Sequence, residues 1–594
     1  MKQVLDSYNA KHLKDDEILK SFVSTPLFIE TAKNMHTVLV GPRGSGKTTF
    51  LRMLSNKTLP VWPKYESFRD VGEINYQGIY VPGDLVWGEM LNSLSKAGLP
   101  LKYSEVFSYS AFVSHVLISS IEAIETYLNL QDPALIASKE EQIYEALESI
   151  GQTLKLSLEK ISISRIKQQL KSNLASLFEY SRYLSLIGGD GFDEQEFLVK
   201  APYAYSELKF MLENVFDSID VALDNSEQRW ALLCDEFEIA PSYLLGKIIS
   251  HMRSSSQKVI FKVALVPCGS HQELKNQSSS INDYSVVELW YVRKGESKKF
   301  CEKLIKSRFD IADPASKLGM TKYGVSSKNN KEQWVNVFEE LAKKDKSFKT
   351  FLISKNIDPQ KIFNLEGAMD SLIRKISPLV AFRNAFLNSS GNRKGRKSLA
   401  EFYSGWEGIT TISEGNPRWL LSVLSFIVSV KKPTKSLASV QMKQVEKSTN
   451  AYCAMLKTLP LSNNMGLSTK QPVYELLEKI GKYFNKRFID DDFMVSPPST
   501  FTVDKQVSKE VEAALMIAWN YGAIVSISTD TSFGNYENII GMRFRLSHLL
   551  APRFELVLTT GPSINLITIL NDVKEKNKSP SDSGEDYVQK DLFR

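Results

Sequence analysis

Apolar positions along the chain fall into two patterns. Short unbroken runs read as buried strands: Met35–Val40, Gly78–Pro82, Trp230–Cys234 leading into Asp235, Val259–Val266 and Tyr284–Val292. Elsewhere apolar residues recur every three or four positions, which is the helical period. Phe50, Leu51 and Leu54 follow the first run in this way, and Leu208, Met211, Leu212, Val215 and Ile219 precede the third. From about 101 to 200 strand signals disappear and helical ones dominate, with Phe112, Val116, Ile121 and Ile124 as one stripe and Ile163, Ile166, Leu170, Leu174 and Leu177 as another. This reads as a helical insertion ending in the loop Gly188-Gly-Asp-Gly191. Its stripes either dock a partner or pack on their neighbours, and packing is the simpler reading.

After Val292 the chain is mainly helical. Lys298–Arg308 is one amphipathic helix, and the polar, lysine-rich residues 311–360 read as surface excursions. Pro417 suits the first turn of a helix and Asn416 its cap, with Leu420, Leu424 and Ile427 on the buried face. Helices near Val473–Phe484 and Val507–Tyr521 are followed by Gly522–Ile527 and Gly541–Leu546 around a polar turn, the plan of a winged helix. Residues from about Asp572 are charged and read as disordered. The strand order predicts an α/β fold: a doubly wound parallel sheet with a large helical insertion, a further helical region and a C-terminal winged-helix domain.

The first strand runs into Gly41-Pro42-Arg43-Gly44-Ser45-Gly46-Lys47-Thr48-Thr49, which fits G-x-x-x-x-G-K-[ST]. The glycines allow a tight turn whose N–H groups approach phosphate oxygens, and the helix that follows aims its positive end at the same anion. Lys47 can reach the outer phosphates, and the Thr48 hydroxyl can ligand Mg²⁺. The third run ends in Asp235-Glu236, at the strand edge where open α/β sheets bind ligands. Asp235 is expected to hold Mg²⁺ through water, and Glu236 to act as the base or to position the attacking water. Ser270, beyond the fourth run, is a candidate γ-phosphate sensor or an ordinary strand exit. His36 reads as a packed strand-end residue.

Composition adds limits. At 594 residues, 43% hydrophobic and 24% charged, the chain can bury large cores. Its four cysteines form no C-x-x-C and no Cys/His cluster, so reduced thiols and a cytoplasmic setting are expected. The first twenty residues are too polar for a signal peptide, and the apolar run Trp419–Val430 is too short and serine-rich to cross a bilayer. A net charge of +6 permits nucleic acid as a partner without arguing for it. No [NT]-K-x-D guanine-reading motif is present, so ATP is preferred over GTP.

Taken together, Gly41–Thr49, Leu232–Glu236 and Glu414-Gly-Asn-Pro-Arg418 resemble the AAA+ ATPases of the origin-recognition or initiator-like clade, including a bacterial initiator-like group. Asp235-Glu-Phe-Glu-Ile-Ala-Pro241 and Leu546-Ser-His-Leu-Leu-Ala-Pro-Arg553 extend the likeness. The resemblance implies ATP with Mg²⁺, hydrolysis, and a second-sensor arginine, Arg418, reaching the γ-phosphate from a helical lid. It divides the chain into a lead-in (1–20), a P-loop core (21–296), a lid (297–435), a winged-helix-like domain (436–571) and a tail (572–594). Bacterial defence or DNA transactions are the settings it suggests.

Two features depart from that pattern. No arginine lies between His271 and Tyr284, where initiators often keep a finger for a neighbouring subunit, and Arg253 is the nearest substitute. A homo-oligomer is therefore an open expectation. The candidate recognition helix, Gln506–Asn520, mixes Lys509 with Glu510 and Glu512, and the wing tip Asp530–Glu537 carries no basic residue. Lys479, Lys482, Lys486 and Arg487 make a better basic face, and Arg393–Lys397 a basic loop. DNA and a protein effector both stand as partners, with nucleotide-driven hydrolysis, a non-hydrolysing nucleotide-gated binding module and a STAND-type signalling ATPase as the competing functions.

Overall fold

The computed structural model describes residues 10, 12–66, 74–202, 204–253, 258–269, 283–290, 294–323, 331–395, 397, 399–429, 437–461, 471–527 and 538–575. By internal packing the chain forms two compact units. One comprises Leu13–Gly41 with Lys47–Leu289, and the other Met1–His12, Pro42–Gly46 and Trp290–Arg594.

Among the described residues the first unit holds five strands, β1 (Thr37–Val40), β2 (Tyr76–Pro82), β3 (Arg229–Asp235), β4 (Val259–Leu265) and β5 (Ser285–Glu288). They lie in the order β2-β3-β4-β1-β5, all parallel. Every residue of β1 and β4 is buried, as expected for strands covered on both faces. Among its described residues the fifth run is strand over Ser285–Glu288. It sits at the sheet edge, where one side of the ladder lacks a partner strand. Lys262 is a charged residue inside β4. Its ammonium donates to the carbonyls of Lys33 (2.8 Å) and Met35 (3.2 Å), and burial lowers its pKa to about 7. His36 accepts the Phe261 N–H at Nδ1 (3.0 Å), and burial lowers its pKa to about 4, so it packs as a neutral strand-end residue.

The insertion is helical and its stripes are packed. Helix Leu101–Asn129 lies against β2. It is long and apolar enough to cross a membrane, but 83% of its most apolar window is buried in the structure. Three of its buried serines are satisfied locally: Ser110, Ser114 and Ser120 each donate to the carbonyl four residues back, at 2.7–2.8 Å. Helix Ile163–Ile187 buries Ile166, Leu170, Leu174 and Leu177 and ends at Gly188, whose φ is +94°. At Gly189 a Cβ would stand 2.6 Å from the Leu99 nitrogen, so only glycine fits.

In the second unit the lysine-rich region expected to form surface excursions is partly core. Helices Lys331–Lys344 and Lys346–Ser354 bury Trp334, Val337, Phe338, Leu341, Phe348 and Leu352. Lysines on their outer faces disguise that buried stripe in the composition. The C-terminal part holds helices Pro472–Ile489 and Lys509–Asn520 beside four short strands, β6 (Thr500–Thr502), β7 (Ile524–Ser526), β8 (Arg543–Leu546) and β9 (Ser563–Asn565). The order is β7-β8-β6-β9. The expected two-stranded ribbon is thus the β7–β8 pair of a larger sheet. The expected wing tip lies outside the described residues, as do residues 576–594 of the tail. Asp572 belongs to helix Leu566–Glu575 and pairs with Lys486 (3.0 Å), so the helix runs past the expected start of the tail.

Candidate functional site

In the first unit, β1 ends just before Gly41, where the glycine-rich motif begins, and the Gly41 N–H donates to the Leu265 carbonyl on β4 (3.1 Å). Helix Lys47–Leu54 begins six residues later. Lys47 is 7% exposed, and its ammonium donates to the Gly41 carbonyl (2.5 Å). Asp235 closes β3, 2% exposed. It accepts hydrogen bonds from the Tyr80 hydroxyl (2.8 Å at Oδ2) and the Thr48 side chain. Its other oxygen, Oδ1, is buried without a hydrogen-bond partner. Burial pushes this carboxyl's pKa up, against the opposing effect of those two hydrogen bonds and of Lys47. A buried carboxylate with an open lone pair, bonded to the P-loop threonine, fits a divalent cation at that oxygen. Tyr80 was not foreseen. Burial and the adjacent Asp235 push its pKa far up, so it remains a hydrogen-bond donor.

Glu236 follows in the left-handed conformation, φ 50° and ψ 35°. A non-glycine residue there costs on the order of 1–2 kcal/mol, so the surrounding structure must impose it. The short 3-10 turn Phe237–Ile239 continues the chain, with Phe237 buried.

In the second unit, residues 42–46 lie against two turns. Gly44 and Gly46 have φ of +87° and +106°, values that favour glycine. A Cβ at Gly44 would meet Asn416 Oδ1 at 3.1 Å and Arg418 Cβ at 3.3 Å. The Asn416 amide donates to the Arg43 carbonyl (3.4 Å), while its oxygen caps helix Pro417–Ser429 by accepting from Arg418 N–H (3.0 Å) and Trp419 N–H (3.3 Å). Arg418 therefore stands in the first turn, as its sequence context predicts. From the other side, Arg43 N–H donates to the Asn520 carbonyl (2.8 Å), and its guanidinium lies over the Tyr521 ring (4.9 Å). Ser45 Oγ is buried without a hydrogen-bond partner, and a phosphate oxygen would suit it.

Glu414, just before that turn, is buried and left-handed at φ 52°. Its carboxylate accepts from the Arg545 guanidinium, the His548 N–H (2.8 Å) and the Ser547 hydroxyl (3.3 Å). It joins the Glu414–Arg418 turn to β8 and the segment after it. Removing one partner of a buried, hydrogen-bonded ion pair costs about 3–5 kcal/mol. Glu414→Ala is therefore expected to move the urea unfolding midpoint sharply downward, and an unchanged midpoint would contradict this account of the turn.

The other expected residues are less central. Arg253 follows helix Ser242–Met252 and pairs with Asp283 (3.4 Å). Ser270 lies outside the described residues. The basic face is largely neutralised: Lys482 pairs with Glu478, Lys486 with Asp572 and Arg487 with Asp491. The basic loop is stapled too, Arg393 to Asp490 and Lys397 to Glu555. All four cysteines are free thiols and buried.

A protein-family model described as ORC-CDC6-like matches residues 3–566. No curated protein and no solved structure matches the chain.

Proposed function

The chain belongs to the ORC-CDC6-like family, and on that premise we propose that it is an AAA+ ATPase whose nucleotide state governs its engagement of a macromolecular partner. The observation carrying this reading is Asp235, a buried carboxylate with one unpartnered oxygen, hydrogen-bonded to the P-loop Thr48. Mg-ATP, when bound, supplies the transferable γ-phosphoryl group and the cation that shields its charge. Thr48 and Asp235 would hold that cation. Among the described residues no group of three or more His, Cys, Asp or Glu side chains gathers to bind a metal, so phosphate and water would complete its coordination. Residues 41–49 would bind the phosphates, with Lys47 reaching the outer ones. Glu236 would orient the attacking water, and Arg418 would take the second-sensor role that the family resemblance implies. The helices after residue 297 serve as that lid, and the C-terminal sheet with its helices as a winged-helix domain.

The neutralised basic face favours a protein partner over DNA, because DNA binding rests on cations available to phosphate. Calorimetric titration should show ATP bound in preference to GTP, and a phosphate-release assay should show turnover. Gel shifts with ATP, ADP and no nucleotide should be equally weak on duplex DNA. Failure to bind any nucleotide would end the proposal, and tight ATP-dependent DNA binding would reverse the choice of partner. ATP binding without phosphate release would leave the gated module as the better reading.

A further inference from the structure

We propose that the helical insertion sets the position of Glu236, and that Phe112 and Phe237 are positioning residues for hydrolysis. The inference rests on the reading of Glu236 as the water-orienting carboxylate.

Glu236 sits in a conformation its side chain does not favour, so something beside it must hold the turn. The next residue, Phe237, is 1% exposed. Its ring meets Phe112 edge-on at 5.7 Å and lies 6.0 Å from Trp87. Trp87 in turn meets Phe112 edge-on at 5.2 Å. Trp87 is itself fixed at two points: its indole N–H donates to His115 Nδ1 (2.7 Å), and its carbonyl accepts from the Ser108 hydroxyl (2.6 Å).

Ser108, Phe112 and His115 are spaced by four and three residues on helix Leu101–Asn129, so they share one face. That face also reaches the other wall of the turn. An indole nitrogen only donates, so His115 Nδ1 accepts and the ring's proton sits on Nε2, which faces Asp84 Oδ2 at 3.6 Å. Asp84 follows Gly83, whose N–H donates to the Asp235 carbonyl (2.9 Å) and where a Cβ would stand 2.8 Å from the Glu236 carbonyl oxygen. One face of an inserted helix therefore braces the Asp235–Phe237 turn from both sides. A partner that moved this helix would move Glu236.

The test uses the full chain carrying Phe112→Ala, Phe112→Leu or, as a control, Leu170→Ala. Leu170 is equally buried in the insertion, on helix Ile163–Ile187. Phe112→Ala should lower kcat about tenfold or more, because small misplacement of a catalytic group is costly. KM and calorimetric ATP affinity should stay within about twofold, since Glu236 acts on the attacking water after nucleotide is bound. Hydrogen exchange should rise at the Ile239 and Ala240 amides, which bond to the Glu236 and Phe237 carbonyls. Phe112→Leu should recover most of kcat, and Leu170→Ala should leave kcat and that exchange unchanged. Wild-type exchange and kcat in Phe112→Ala, or an equal loss in Leu170→Ala, would overturn the proposal. If the unmodified protein shows no turnover, the hydrolysis reading fails. The exchange measurement then still decides whether Phe112 holds the turn.

Discussion

ATP binding by a Lys47→Ala protein is expected to fall at least a hundredfold, below detection in a titration that saturates the unmodified chain. Lys47 is 7% exposed, and its ammonium is held at the Gly41 carbonyl, at the mouth of the phosphate loop. A triphosphate offers this cation several anionic oxygens in place of one neutral carbonyl. Truncating one partner of a desolvated, hydrogen-bonded charge pair costs about 2–5 kcal/mol, and each 1.4 kcal/mol is about tenfold in affinity. Calorimetry with Mg-ATP checks the loss, and circular dichroism establishes that the variant is folded. Undiminished affinity in a folded variant would remove Lys47 from the site and with it the phosphate-loop reading.

Glu236→Gln separates binding from chemistry. Glutamine keeps the shape and can occupy the same backbone conformation, so ATP affinity should stay within about threefold of the unmodified protein. What is lost is the anionic oxygen that orients, or takes a proton from, the attacking water. General-base contributions of this kind are worth about 10²–10⁴-fold. Single-turnover phosphate release is therefore expected to slow at least a hundredfold, with nucleotide still bound. Release at the unmodified rate would assign the water-orienting role to another group.

The sheet was largely legible in the sequence. Parallel strands buried on both faces read as continuous apolar runs, and β1, β2, β3 and β4 lie where those runs do. The edge strand β5 came out shorter, and β6 and β9 were missed, because three residues are too few to show a period. Helices Lys331–Lys344 and Lys346–Ser354 were hidden by their lysines, although Trp334, Val337, Phe338 and Leu341 already carry the spacing of a buried stripe. At the site, local chemistry was readable: the glycine pattern, the acidic strand end and the Asn416–Pro417 cap. Long-range pairing was not. Tyr80 meets Asp235 across 155 positions of chain, and Glu414 meets the His548 amide across 134. Neither partner carries a local pattern that announces the other.

Arg43 N–H is bonded to the Asn520 carbonyl at the end of helix Lys509–Asn520. A backbone N–H gives a full-strength bond to one acceptor at a time. An anion that drew on this N–H would have to displace the Asn520 carbonyl, and the loop's readiness would then be a fraction of time. Intrinsic affinity is divided by that fraction to give the apparent one. Whatever seizes the last turn of helix Lys509–Asn520 would then act as a throttle on nucleotide entry, without touching the nucleotide.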